Sequence, residues 1–216
     1  MSIEMLLRHP KYRLPVVLVV LCLLLQCLSS WLDPYLSYQH QGLSQGQWWR
    51  LWTPYLIHTN WPHLLMNIAA LAVLTYLHGS YYRPLTFSML LFIGFPLISL
   101  LSYFFSATSF QFVGLSGWLH AILVWGALVD TRRHFTSGWL ILAGVAAKVG
   151  WEQWHGAEGF TEQLINAKVA TDAHLWGACS GVVLFGLTML AMVRKVYLRR
   201  SSLPYTAPIA NDSDPR

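Results

Sequence analysis

Six long apolar runs constrain the fold of this chain more than any other feature. A membrane-spanning helix needs about 20 mostly apolar residues, and the runs that meet this need are roughly Leu14–Leu32, Pro62–His78, Pro84–Phe105, Leu115–Thr131, Ser137–Trp151 and Ala173–Tyr197. Only 11% of the 216 residues are charged, against about 25% in a usual soluble domain. The sequence therefore predicts an all-α, multi-pass membrane protein that lies in the lipid bilayer, and disfavours a soluble enzyme, a disordered chain and a nucleic-acid-binding module.

The basic residues predict the orientation of these spans. Eleven Lys and Arg fall on one side of the six runs and three on the other, and Lys and Arg concentrate in cytoplasmic connections. Both termini are thus expected in the cytoplasm, with residues 1–13 as an N-terminal segment, residues 14–200 as a six-helix membrane domain and residues 201–216 as a disordered polar tail. Nine of the eleven Trp, Trp118 among them, are expected at the outer interface.

Strongly polar side chains inside spans are costly and are by default candidates for a functional site. Three spans of equal direction carry them: His63 and Asn67 in the second, Gly114-Leu115-Ser116-Gly117 with His120 in the fourth, and His174 with Gly177 and Gly181 in the sixth. Measured from the inner basic end of each helix, His63, Asn67, Ser116 and His174 fall within one layer of about 6 Å.

The fourth span makes only about 25 Å of helix, which is short for a hydrocarbon core of about 30 Å. We therefore expect the preceding loop, Ser106–Gly114, to dip into the membrane, where protein or a water-filled cavity must surround it. Ser116 would then lie at the floor of a wet pocket open to the outside.

This arrangement predicts nucleophilic catalysis. A serine hydroxyl needs a base to accept its proton, and His174 is the candidate base for Ser116. Gly177 and Gly181 form a small-residue face that allows another helix to come close. The Ser116 backbone at a helix N-terminus, with Asn67 and His63, is the candidate oxyanion site.

We expect a Ser–His dyad rather than a triad, because no acidic residue is placed by the sequence to orient His174. Asp172 precedes the histidine by only two residues and so points to another side of the helix. Each feature alone is typical of ordinary packing or a structural histidine. The combination in order, on helices of equal direction and at one depth, favours catalysis.

The combination resembles the rhomboid intramembrane serine proteases over roughly residues 48–190. The residues that carry the resemblance are Trp49-Arg50, His58, His63, Asn67, the run Gly114-Leu115-Ser116-Gly117, and Ala173-His174 with Gly177 and Gly181. The resemblance implies Ser116 as nucleophile, His174 as base, and His63, Asn67 and the Ser116 backbone as the oxyanion site. Gly114 is expected to support that site. The family commonly has Tyr where this chain has His120, and a supporting role is expected for His120.

The run Gly114 to His120, together with Lys148-Val-Gly-Trp-Glu152-Gln153, is similar to the rhombosortase branch of the family. That branch implies bacterial substrates with a C-terminal Gly-Gly motif, one apolar span and a basic end. It also implies a place in the inner membrane with the active site open to the periplasmic side. Trp118, Glu152 and Gln153 are weak candidates for substrate contacts, and no cofactor or metal is expected.

Two other functions stay open at this point. One is an inactive rhomboid-like protein that binds clients without cutting them, although such proteins usually lack the serine or the histidine. The other is a metal or proton transport site built from His58, His63, His120 and His174. Zinc sites commonly recruit Cys or carboxylate ligands as well, and no H-E-x-x-H motif occurs.

Overall fold

The computed structural model of the chain describes residues 9–157 and 159–201. The helices are α1 (Pro10–Gln26), α2 (Ser29–Leu36), α3 (His40–Ser44), α4 (Trp61–His78), α5 (Pro84–Phe92), α6 (Gly94–Phe105), α7 (Ser116–Arg132), α8 (Thr136–His155), α9 (Gly159–Ile165) and α10 (Thr171–Ser201). Short 3-10 helices occupy Trp48–Leu51, Thr53–Leu56 and Gly79–Tyr81. Strands β1 (Tyr38–Gln39) and β2 (Gln111–Phe112) pair antiparallel, with Tyr38 opposite Phe112, so the fold is mostly but not purely helical.

Among the described residues, three helical segments are long and apolar enough to cross a membrane: Trp61–Tyr81, Pro84–Phe105 and Thr171–Lys195. They match the second, third and sixth predicted spans. Helices α7 and α8 lie where the fourth and fifth spans are predicted, but neither meets the same test of length and hydropathy. Helix α7 has only 17 residues, and α8 carries Lys148 and Glu152 in its last turns.

The first predicted span, roughly Leu14–Leu32, does not form one continuous helix. Helix α1 already begins at Pro10 and ends at Gln26, and the segment that follows, α2, is bent by 106° from it. The reason is that the end of α2 is tied to the first outer connection: Arg50 donates to the carbonyl oxygens of Ser37 and Pro34, and Thr53 donates to that of Leu36. These bonds attach the end of α2 to the segment that contains Arg50 and Thr53. The predicted tail beyond Ser201 lies outside the described residues.

The third span is broken at Ile93, between α5 and α6. Pro96 has no backbone N–H to donate to the carbonyl oxygen of Phe92. The indole Nε1 of Trp52 donates to that carbonyl instead, at 3.2 Å. The Phe92 carbonyl oxygen therefore keeps a hydrogen-bond donor despite the break. The same bond attaches the outer connection to this span.

Helix α7 is the central element, packed against α4, α8 and α10. Its closest contact is with α10, where a Cβ added at Gly181 would lie 2.5 Å from the Ala121 carbonyl oxygen and one at Gly177 would collide with Gly117. The prediction that Gly177 and Gly181 form a close-packing face is confirmed. At the other end of α7, buried Asp130 accepts hydrogen bonds from His78 and Tyr81, which joins α7 to the end of α4.

The last part of the loop before α7, from Phe112 to Leu115, is packed against protein. Phe112 in β2 is buried and stacks on Tyr38 at a ring distance of 4.7 Å, and Gly114 N donates to the Pro54 carbonyl oxygen at 2.8 Å. Irregular backbone at membrane depth requires such partners. The first residue of α7, Ser116, is thereby presented at the end of a fixed loop.

Candidate active site

Ser116 and His174 are hydrogen-bonded across the α7–α10 contact. The Oγ of Ser116 lies 3.0 Å from Nε2 of His174, and the histidine is 5% exposed. Because α7 and α10 are in close contact at Gly117 and Gly177, the side chains of Ser116 and His174 reach each other. Ser116 also begins α7, where backbone N–H groups are unpaired and the helix dipole favours negative charge.

An acidic residue lies against the other side of the His174 ring. Oε2 of Glu152 lies 2.9 Å from Nδ1 of His174. The prediction that no acidic residue is placed to orient His174 is therefore wrong, and Glu152 lies deeper in the site than a substrate contact at the outer edge. Sequence reasoning missed it because the two residues are 22 positions apart on helices whose relative rotation no local pattern reveals. The signal available was that Glu152 ends a predicted span at the same outer level as His174.

His120 covers one face of the His174 ring. The two rings stack with centroids 4.3 Å apart and planes at 22°, and Nδ1 of His120 donates to the Ser116 carbonyl oxygen at 2.8 Å. That bond fixes the orientation of the His120 ring, and the ring in turn limits rotation of His174. Through these two contacts His120 can support the site, which is the role that the sequence predicts for it.

Helix α4 contributes two polar side chains, His63 and Asn67, to the cavity that Ser116 lines. Asn67 is buried, and its Nδ2 has no hydrogen-bond acceptor among the described residues. Nδ1 of His63 is 3.1 Å from Thr59 Oγ1, which orients the ring. Asn67 lines the cavity beside Ser116, so its Nδ2 can donate to a group bound there.

Gly114 makes this arrangement possible. Its φ is +106°, in the region that L side chains rarely adopt. A Cβ there would lie 2.7 Å from Nε2 of His63 and 3.4 Å from Nδ2 of Asn67. Any larger residue at position 114 would therefore push the α4 donors away from Ser116.

His58 lies in the outer connection, behind this loop. Burial, and secondarily the charge of His63, lower its pKa to about 3, so the ring is neutral. Its Nε2 lies 3.5 Å from the backbone nitrogen of Leu115, one residue before Ser116. The histidine predicted as part of a transport site thus supports the loop that leads into α7.

A cavity of about 1290 Å³ opens onto these groups, between α4, α7 and α8. Its polar end contains His63, Asn67, Ser116, His120, Glu152 and His174. The rest is lined largely by apolar side chains, such as Met66, Leu74, Leu123 and Ile141. Helix α9 lies above α4, with the carbonyl oxygens of Leu164 and Ile165 accepting from Asn60 and Thr59. The cavity can receive an extended apolar segment beside the polar cluster.

Trp118 is not at the outer interface and does not line the cavity. It is fully buried between Phe87 and Phe95, and its indole donates to the Leu90 carbonyl oxygen at 2.8 Å. The prediction of an interfacial or substrate-binding Trp118 is wrong because its direction from α7 points to α5 and α6. Gln153 is exposed on α8 and lies outside the cavity lining.

The geometry does not favour a metal centre. In the described part of the chain, His120, Glu152 and His174 bring ligand atoms within 4.8 Å of one another. However, ring nitrogens bind metals along directions in the plane of the ring, and the two rings are stacked. Both nitrogens of His174 are also occupied by hydrogen bonds. An ion bound to His174 would have to displace one of these hydrogen bonds and separate the stacked rings.

The Rhomboid domain family matches residues 45–191, about two thirds of the chain. The chain belongs to the rhomboid family. No curated protein matches it closely enough to add to this. Rhomboids are known for intramembrane serine proteases, and the rhomboid domain together with several apolar helices indicates an integral membrane protein. The matched region contains Ser116, His174, His63, Asn67, Gly114 and His120.

Proposed function

We propose that this rhomboid is an intramembrane serine endopeptidase in which Ser116 is the nucleophile and His174 the general base. The observation that carries the proposal is the 3.0 Å contact between Ser116 Oγ and His174 Nε2, at a helix N-terminus that faces a cavity. Inactive relatives that only bind clients have no need of such a pair, so this contact favours catalysis over client binding.

The reaction that this geometry supports is acyl transfer through the serine. His174 Nε2 takes the Ser116 proton as Oγ bonds to the scissile carbonyl carbon, and the same proton then passes to the leaving nitrogen as the C–N bond breaks. Water attacks the acyl-serine with His174 again as base, which releases the new carboxyl end and restores Ser116. In both acylation and deacylation, one proton is transferred by way of Nε2 of His174.

Negative charge on the tetrahedral oxygen needs preorganised donors. The Ser116 backbone N–H and the Asn67 amide are the proposed donors, with His63 supporting them. The unpartnered Nδ2 of Asn67 supports this role, because its hydrogen bond would form only when the substrate oxygen is present. Such an interaction favours the transition state over the free enzyme.

We further propose the full membrane arrangement and the substrate class that the sequence favours. Helices α7 and α8 complete six spans, both termini are cytoplasmic, and the site opens to the outer face of a bacterial inner membrane. The substrates are exported proteins with a C-terminal Gly-Gly motif, an apolar span and a basic end. The largely apolar lining of the cavity supports a substrate that enters from the bilayer.

Labelling with a fluorophosphonate probe tests the nucleophile without a known substrate. Purified full-length protein in detergent is expected to gain one covalent adduct on Ser116, located by peptide mass spectrometry. Ser116→Ala and His174→Ala should each abolish labelling while the thermal unfolding midpoint stays close to that of the unchanged protein. Equal labelling of the Ser116→Ala variant would overturn the assignment.

Cleavage in proteoliposomes tests the substrate class. A reporter that ends in a Gly-Gly motif, an apolar span and a basic tail should be cut, and a matched reporter with Gly-Gly replaced by Leu-Leu should not. Cleavage is expected to survive EDTA and to stop with the fluorophosphonate. Loss of cleavage in EDTA, restored by added zinc, would instead support a metal mechanism.

A further inference from the structure

The hydrogen bonds of His174 define which of its nitrogens carries the proton. A carboxylate only accepts hydrogen bonds, so the 2.9 Å contact with Glu152 places the proton of a neutral His174 on Nδ1. The lone pair then lies on Nε2, directed at Ser116 Oγ 3.0 Å away. This is the tautomer that a general base for Ser116 requires.

Glu152 is itself held in position. Its second oxygen, Oε1, accepts from Nζ of Lys148 at 2.7 Å, one helical turn earlier on α8. The Glu152 side chain is 11% exposed and that of Lys148 50% exposed, so the lysine reaches the carboxylate from the wet side. Both oxygens of Glu152 are thus engaged, one by the lysine and one by the imidazole.

Three helices place titratable groups around His174. His120 from α7 stacks on the ring, His63 from α4 lines the same cavity, and α8 supplies Glu152 and Lys148. Of these, Glu152 is the anion. When His174 takes the Ser116 proton and becomes positive, Glu152 is the neighbour that stabilises the charge.

We propose that Glu152 is a positioning residue for His174, so that Ser116, His174 and Glu152 act together as a Ser–His–Glu triad. The inference rests on the proposed protease function and deepens it. Glu152 takes up no proton during the reaction: the proton of Ser116 moves to Nε2 and on to the leaving nitrogen, while Nδ1–H stays bonded to the carboxylate. Lys148 keeps the carboxylate aimed at Nδ1.

The variant Glu152→Gln tests this role. Its amide places a donor near Nδ1 and so favours the wrong tautomer; the corresponding change of an aspartate to asparagine in a known triad lowers kcat by about 10⁴-fold. We expect fluorophosphonate labelling at pH 7 to slow by at least about 100-fold, with Glu152→Asp restoring part of the rate. The matched control is Asp172→Asn, which removes the acid nearest His174 in sequence and should leave the rate unchanged.

The pH profile separates positioning from a purely structural role. A general base must be unprotonated to accept the serine proton, so labelling should rise with pH, and removal of the carboxylate disfavours a positive imidazole. The midpoint of the profile should therefore move to lower pH in Glu152→Gln, and should stay in place in Asp172→Asn. Wild-type labelling rate and midpoint in Glu152→Gln, beside a Ser116→Ala variant that no longer labels, would overturn the triad and leave the protease proposal standing.

If Glu152→Gln does not fold, the proposal is tested by the tautomer of His174 in the unchanged protein. Nitrogen-15 NMR of histidine-labelled protein, with the His174 signals assigned by their loss in His174→Gln, should show Nδ1 protonated and Nε2 unprotonated at high pH. The opposite tautomer would overturn the proposal. Labelling that persists in Ser116→Ala would overturn the protease function itself, which is a separate outcome.

Discussion

The carbonyl oxygen of Gly117 faces the Cα of Gly177 so closely that no side chain fits between α7 and α10. A Cβ at Gly177 would collide with that backbone carbonyl, and one at Gly117 would lie 2.8 Å from the carbonyl oxygen of Ala173. The contact lies one residue beyond Ser116 and one turn beyond His174. The separation of the two helices, and hence of the two candidate catalytic groups, is determined here by the absence of side chains.

Gly177→Ala is expected to reduce both stability and activity. The obstructing atom is backbone, so the helices must move apart, and overpacking of this kind typically costs about 1–3 kcal/mol. The Ser116–His174 hydrogen bond should lengthen and fluorophosphonate labelling should slow. Gly186→Ala on the same helix is the control: nothing lies within 4 Å of its added Cβ, so thermal unfolding and labelling should be unchanged. Equal effects of the two substitutions would contradict the packing argument.

Asn67→Ala is expected to lower kcat by about 10²–10³-fold, the usual loss for one oxyanion donor. Stability should not fall, because the removed Nδ2 has no acceptor among the described residues. Cleavage kinetics and a thermal melt check both parts, with exposed Tyr76→Phe on α4 as the control. A lower melting temperature with unchanged kcat would instead make Asn67 a structural residue.

His120 is expected to act through its ring. His120→Ala removes the stack on His174, and such a contact is usually worth about 0.5–1.5 kcal/mol, so kcat should fall roughly 2- to 10-fold. His120→Tyr retains an aromatic ring and should keep most of the activity. If Tyr is as poor as Ala, the hydrogen bond from Nδ1 to the Ser116 carbonyl oxygen is the important contact.

Trp118→Phe is expected to affect folding and not substrate binding. The change removes the hydrogen bond to the Leu90 carbonyl oxygen, and an unpaired buried acceptor costs about 1–3 kcal/mol. The thermal midpoint should fall while KM for a cleaved reporter stays the same. Trp154→Phe, at a position 86% exposed, should change neither. A raised KM in Trp118→Phe alone would restore the substrate-binding interpretation.

Local patterns in the sequence were sufficient for features that depend on single helices. The spacing of apolar residues located α4, the α5–α6 span and α10 to within a few residues, because burial in a bilayer requires a fixed length of apolar helix. Gly177 and Gly181 were recognisable as a packing face for the same reason: a four-residue spacing keeps both on one side of a helix.

The features that were missed depend on contacts between distant segments. The bend between α1 and α2 follows from bonds made by Arg50 and Thr53, which apolar length alone does not reveal. The position of Trp118 along the span is outer, which predicts an interfacial side chain, whereas its direction around α7 points into the core.

Length, apolar composition and the order of the polar residues were enough to indicate a membrane protein and to mark Ser116, His174, His63 and Asn67 as a group, because each statement depends on distance along a helix. The tertiary structure alone decided which side chain lies on the far side of His174. The Glu152 contact depends on how α8 is rotated against α10, and that rotation is a property of the packed helices together.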